Sequence, residues 1–460
     1  MKKILIIGGG ISGLSAAYHL TKHNKNFKLF EAENQLGGLC KTVYSNGFYY
    51  DYTGHLLHFS NQETENLVKN LLKKNLAEKT RKSFIFFRDK YIDYPFQQNL
   101  YNLPIKIKKE CLFGYLETFF NQTKFRHKNL NFKDWALQNF GEGISKHFMV
   151  PYNEKLWNMQ AEKLTTTWMK GYVPKPNLEE VLTGTFSENK GNVGYNAKFY
   201  YPKKGGIQSL VSAFERNIDE QNIKKSSKIT KISTKNQTIT DADGNKFGYD
   251  FLITSAPLKN LILNMIDDVP SEIKQKAARL KTNSVLNINL GINKNLGDKH
   301  WIYFPEKKYI FYRIGWVSNF SQNMCQKNCS SIYTEISLDE NFDFSDKKKI
   351  NKYKNRVISD LIKAKILKSK DEVVDTNILN LAPAYISYDS SRDDTVEAIL
   401  NYLKQNKIIS IGRYGGWEYS DMETAILQGK QAAELVTNCH SESSEESLSN
   451  GDPSLMMRAK

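Results

Sequence analysis

The most regular hydrophobic pattern in the chain lies near its start. Ile4–Ile7 is an apolar run short enough for a buried strand, and LSAAYHL (Leu14–Leu20) then carries a helical period. Between them, Gly8, Gly10 and Gly13 stand in G-x-G-x-x-G spacing. A second short apolar strand, Phe27–Phe30, ends at Glu31. FLITSAP (Phe251–Pro257) reads as a strand ending in small residues, and the alternating stretch before it turns at Asp243–Gly244 like a hairpin. Near the far end, Ile408–Ile411 is another short strand, followed by Gly412, the Gly415–Gly416 pair and a helix from about Met422. Helices are predicted over 62–76, 105–120, 132–140, 207–217, 270–279, 350–366 and 394–405. Strands of a second sheet are predicted over 84–93, 284–292, 301–304, 310–317 and 331–337.

The strand–glycine–helix unit has a specific chemistry. Gly8 permits a tight turn, Gly10 lets backbone approach a pyrophosphate, and Gly13 lets the helix pack closely on the strand. The helix start offers free N–H groups and a positive dipole end to the phosphates. Glu31 is placed to accept hydrogen bonds from a ribose. Lys2 and Lys3 before an apolar run could open a secretory leader, but the glycines interrupt that run and no small-residue cleavage site follows. Six residues past Glu31, Gly37 and Gly38 supply extra backbone clearance, which selects FAD over a nicotinamide dinucleotide. The late segment closes such a flavin site, with Gly412 in its turn and Asp421 and Met422 at its helix start.

These pieces predict an α/β fold: a discontinuous Rossmann-type FAD-binding domain, a mixed α+β substrate domain and a helical subdomain. The FAD-binding domain is expected from residues 1–60, 205–260 and 405–438, the helical and substrate subdomain from 61–204, and a substrate-side antiparallel sheet domain from 261–404. Residues 439–460 are Ser/Glu-rich without periodicity and are expected to be disordered.

Composition narrows the setting. At 460 residues and 40% hydrophobic, the chain can pack more than one domain. No run approaches the length of a membrane span. The five cysteines form no even framework, and Cys325 and Cys329 lack a second pair or a nearby histidine, so neither disulfides nor a metal is expected. A cytoplasmic location is the expectation. The net charge of +16 comes from scattered lysines rather than a stripe interleaved with aromatics. That argues against nucleic acid and leaves at most a weak membrane-surface association, for which Glu110–Phe120 is the apolar candidate. Oligomeric state is not readable.

The reaction must come from other motifs. DYTGHLLHF (Asp51–Phe59) can carry His55 toward a flavin edge. YPFQQNL, PYNEKLW, GYNAKFYYPKKGG, WIYFP and FYR follow, and such aromatic-plus-arginine clusters suit a nucleotide sugar, aromatics on the base and arginine forked onto the diphosphate. Taken singly, each cluster reads as core before it reads as a site, since a buried Trp or Tyr needs no ligand.

In their order and spacing these motifs resemble those of the UDP-galactopyranose mutases, within the FAD-dependent amine oxidase/protoporphyrinogen oxidase superfamily, from residue 3 to about 436. The resemblance implies a nucleotide-sugar pyranose–furanose mutase serving cell-surface polysaccharide synthesis. Reduced FAD is the active form there, its N5 acts as nucleophile, and there is no net redox change. No separate nicotinamide fold is visible, so NAD(P)H is expected only as a transient reductant. Carried over, Arg313 and Arg413 match diphosphate and flavin-side arginines, and His55 matches the histidine beside N5. Tyr303, Tyr385 and Tyr419 match diphosphate tyrosines, and Asn153 and Asn196 match substrate-side asparagines. Two positions depart from the pattern. Thr53-Gly54-His55 replaces Gly-Gly-His, and Tyr172 stands where an arginine precedes Pro176–Asn177, with Lys170 and Lys175 nearby. The alternative is a FAD-dependent oxidoreductase of the same superfamily, which needs an apolar tunnel in place of the Arg/Tyr set.

Overall fold

The computed structural model describes residues 2–121, 130–169, 171–188 and 197–438. Asn196, Lys170 and the 439–460 tail lie outside them.

Ile4–Ile7 is buried along its whole length and sits at the centre of a five-stranded parallel sheet. Phe27–Phe30 and then Ile223–Lys224 flank it on one side, Phe251–Thr254 and then Ile408–Ser410 on the other. Buried on both faces, such strands read as continuous apolar runs rather than alternating ones. The sheet therefore draws strands from the start, middle and end of the chain, and helix Ile11–Lys22 packs against the last helix, Met422–Asn438. This closing is tight: Ser15 Oγ donates to Ile426 O at 2.7 Å, and a Cβ on Gly429 would lie 2.4 Å from Ser12 O. The α/β, Rossmann-type expectation holds.

The expected hairpin before Phe251 is a three-stranded sheet, Ile229–Ser233, Thr238–Asp241 and Lys246–Gly248, and Gly244 takes a positive φ of 85° in its turn.

The second sheet has seven strands, in the order Val373–Leu381, Asn283–Ile292, Ser330–Asp339, Arg313–Trp316, Trp301–Tyr303, Ser83–Phe87 and Lys90–Asp93. All neighbours run antiparallel except Trp301–Tyr303 with Ser83–Phe87. The run read as one strand over 84–93 is two, because Arg88 and Asp89 both take positive φ in a turn between them. Val373–Leu381 was not anticipated; its polar Asp375, Asn377 and Asn380 blur the period. Hairpin Thr42–Ser45/Phe48–Asp51 was also not anticipated, although Asn46–Gly47 at φ 48° and 87° carries the type I′ turn signal.

The predicted helices form at Gln62–Leu72, Ile105–Phe120, Phe132–Ile144, Gln208–Glu215, Ser271–Arg279, Lys347–Lys363 and Arg392–Gln405. Among the described residues, no helix is long and apolar enough to cross a membrane.

Candidate functional site

A cavity of about 760 Å³ runs from the glycine turn after Ile7 to the face of the antiparallel sheet. Its first end is built by backbone. Gly8 has φ 99° and donates its N–H to Phe30 O at 2.8 Å, turning the chain off the strand. Gly10 caps the helix without a side-chain hydrogen bond, and the first turn holds no acid, so the helix start is free to receive an anion. Gly10 lines the cavity and a Cβ there would meet nothing within 4 Å. Gly13 does not line the cavity; a Cβ on it would lie 2.0 Å from Gly8 O, so its task is helix–strand packing.

Glu31 also lines this end. Its Oε2 accepts from Gly9 N at 2.7 Å and its Oε1 from Glu33 N at 2.9 Å. Gly37 and Gly38, at φ 125° and 56°, cross over the turn, Gly37 N donating to Gly9 O at 2.8 Å. Lys41, not singled out from the sequence, is buried beside them, ion-paired to Glu33.

His55, Gly412, Asp421 and Met422 also line the cavity. Gly54 lets the histidine loop pass close to Tyr333: a Cβ on it would lie 2.4 Å from the Tyr333 hydroxyl. The preceding Thr53 holds a positive φ of 79°, a backbone region that disfavours a β-branched residue. His55 Nδ1 is buried with no hydrogen-bond partner among the described residues. Burial first, then Arg413 and Arg313, lowers the His55 pKa to about 4, so the imidazole is neutral at neutral pH. Asp421 caps the last helix, its carboxylate accepting from Thr424 N at 2.9 Å.

The far end is aromatic and cationic. Arg413 lies over the rings of Tyr385 (5.1 Å) and Tyr419 (5.0 Å) and donates to Ser420 O at 3.0 Å. Tyr172 meets Tyr419 edge-on at 5.2 Å. Tyr303 packs on Tyr94 at 5.1 Å. Arg313 is held by both carboxylate oxygens of Glu335, Nε to Oε2 at 2.5 Å and Nη2 to Oε1 at 2.8 Å. Glu335 is directly opposite Arg313 in the sheet register and its side chain is 1% exposed. The sequence reading missed Glu335, although a carboxylate in mid-strand, between Ile332 and Tyr333 on one side and Ile336 on the other, is itself a signal. Tyr312 and Tyr333 line the same region and were also missed.

Asn153 is not brought to the cavity. It is buried in helix Val150–Trp157, where its Nδ2 donates back to Met149 O at 2.8 Å. That back-bond uses one of the amide hydrogens locally.

The residues present fit an extended dinucleotide carrying an aromatic ring system. There is an uncapped helix start with open space at Gly10, an acid at the end of the second strand, and an orphaned buried imidazole nitrogen further along. The family of flavin-containing amine oxidoreductases matches residues 11–437. The chain belongs to that family. It is an FAD flavoprotein of the amine oxidase superfamily, mutase-like in its relatives. A crystal structure of reduced UDP-galactopyranose mutase superposes with a TM-score of 0.89 at 26% identity, covering 96% of this chain and 97% of that one. The mitochondrial protoporphyrinogen oxidase of Nicotiana tabacum is 23% identical over 50% of this chain and 51% of its own length. The UDP-galactopyranose mutase of Mycoplasma genitalium is 26% identical over 34% of this chain and 40% of its own length. The chain thus spans about half, or less, of these curated relatives.

Proposed function

We propose that this flavoenzyme is a nucleotide-sugar pyranose/furanose mutase of the UDP-galactopyranose mutase kind, acting in surface-polysaccharide synthesis. The observation that carries the reading is the far end of the cavity. Two arginines and at least five tyrosines converge there, where an oxidoreductase of an apolar substrate needs an apolar tunnel. We take 1–60, 205–260 and 405–438 as the FAD-binding domain and the remaining described segments as the substrate side.

When bound and reduced, FAD supplies the nucleophile toward the anomeric carbon, with no net electron transfer. The chain does the rest. Arg313 and Arg413 hold the diphosphate, so the departing nucleotide stays in place to return. Tyr303, Tyr385 and Tyr419 donate hydroxyl hydrogen bonds to its oxygens. His55, neutral, presents a nitrogen rather than a charge to the flavin. Glu335 compensates Arg313 until substrate arrives. Tyr172, replacing the expected arginine, provides a ring face instead of a bidentate fork. NAD(P)H serves at most as a passing reductant.

The test is chromatographic. The purified protein is reduced with dithionite without oxygen and mixed with UDP-galactopyranose or UDP-galactofuranose. Interconversion supports the reading. Its absence, with no retention of UDP, moves the chain to the oxidoreductases of its family.

A further inference from the structure

Lys155 belongs to the PYNEKLW motif but has been given no role so far. It sits in helix Val150–Trp157, part-buried, and its Nζ donates to three main-chain carbonyls: Phe311 at 2.6 Å, Phe304 at 3.0 Å and Glu306 at 3.2 Å. All three belong to one loop, between strands Trp301–Tyr303 and Arg313–Trp316. The feet of that loop are site residues. Tyr303 and Arg313 are direct register partners, and Tyr303, Tyr312 and Arg313 all line the cavity. Phe304 N closes the loop onto Tyr312 O at 2.8 Å.

An ammonium has three N–H donors and no acceptor, so three carbonyls satisfy it completely. Burial draws the Lys155 pKa down to about 7 against the pull of Asp360 and Glu306; the three carbonyls favour the protonated form. The helix side thus grips both ends of the loop with one side chain. On the opposite side, Asp360 of helix Lys347–Lys363 accepts from Ile310 N at 2.8 Å and fixes the loop tip.

We propose that Lys155 is a positioning residue: by clamping the loop 304–312 it sets where Tyr303, Tyr312 and Arg313 meet the diphosphate. This rests on the mutase reading, which supplies the diphosphate. A displacement of about 1 Å at reacting or binding groups can cost roughly a hundredfold, so a loosened loop has kinetic consequences without loss of fold.

The test uses the full, FAD-loaded chain with Lys155→Met, Lys155→Gln and Lys155→Arg, alone and in an Arg313→Lys background. Flavin content is read alongside the kinetics. Either neutral variant that folds should keep wild-type flavin content and raise KM for the nucleotide sugar about tenfold or more. Lys155→Arg should recover part of the loss. In the Arg313→Lys background the further effect of Lys155→Met should largely vanish, since neighbours acting through one group are not additive. A KM and kcat within twofold of wild type, or full additivity, overturns the proposal. If wild-type protein shows no interconversion, the mutase reading has failed instead. Hydrogen exchange then decides the clamp alone: faster exchange over 303–312 in the neutral variants supports it, and unchanged exchange overturns it.

Discussion

Replacing Gly10 with valine should empty the flavin site while leaving the fold intact. Gly10 has φ −71° and ψ 175°, open to any L-residue, and its Cβ direction holds no atom within 4 Å. The cost to the apoprotein is then the N-cap preference alone, about 1 kcal/mol or less. On the cofactor side, a branched side chain stands where backbone approaches the pyrophosphate. Hydrogen bonds from the helix start to a charged acceptor are each worth about 1.5–3 kcal/mol. Losing two costs roughly 3–6 kcal/mol, or about two to four decades of affinity. Gly13→Val is the control that should fail differently, because its Cβ would lie 2.0 Å from Gly8 O and the helix must move off the strand. The assay is the flavin-to-protein ratio from visible absorbance, with thermal melting by circular dichroism. Gly10→Val should melt near the wild-type apoprotein yet be colourless; Gly13→Val should fail to fold. A yellow Gly10→Val protein with full flavin content refutes the reasoning.

Other consequences follow from the same geometry. Arg313→Ala strands the buried Glu335 carboxylate and should destabilise by about 3–5 kcal/mol, whereas adding Glu335→Gln should restore most of the melting temperature but none of the turnover; equal stability of the single variant and wild type contradicts this. Tyr172→Arg should tighten UDP binding by adding a bidentate donor beside Tyr419, measured by titration calorimetry, and weaker binding would show that the ring face is what the ligand uses. His19, His55, His58 and His300 are each lowered to about 4, by burial first, from an ordinary 6.5. The unfolded chain therefore binds protons more readily, and this stability is complete above 6.5 and lost as pH falls toward 4; Asp51, raised by burial to about 6, and Asp93, also raised by burial, oppose it but are outnumbered by the four histidines. The urea midpoint should fall between pH 7 and pH 5, and a flat or rising midpoint contradicts the sign.

What could be read in the sequence was what is local. The glycine turn and the acid after the second strand lie within one unit, so spacing alone carries them. Gly54 and His55 were legible as a motif, but the close approach of Tyr333 to Gly54 depends on a strand nearly three hundred residues away. The Arg313–Glu335 pair depends in the same way on cross-strand register, which no window in the sequence displays. Asn153 carries no local sign of its place: its motif, PYNEKLW, lies on a helix whose residues do not line the cavity, and its amide donates back to Met149 O. The hairpin at Asn46–Gly47 was available and unused: the dipeptide joins two short runs rich in β-branched and aromatic residues, TVYS and FYYD.

The most direct test counts turnovers against electrons. Without oxygen, the protein receives dithionite equal to its flavin and a large excess of UDP-galactopyranose. The account predicts many sugars converted per electron pair, with the flavin still reduced at the end. Conversion that stops at one product per pair, or a flavin oxidised in step with product, would mean that this cavity performs net redox chemistry.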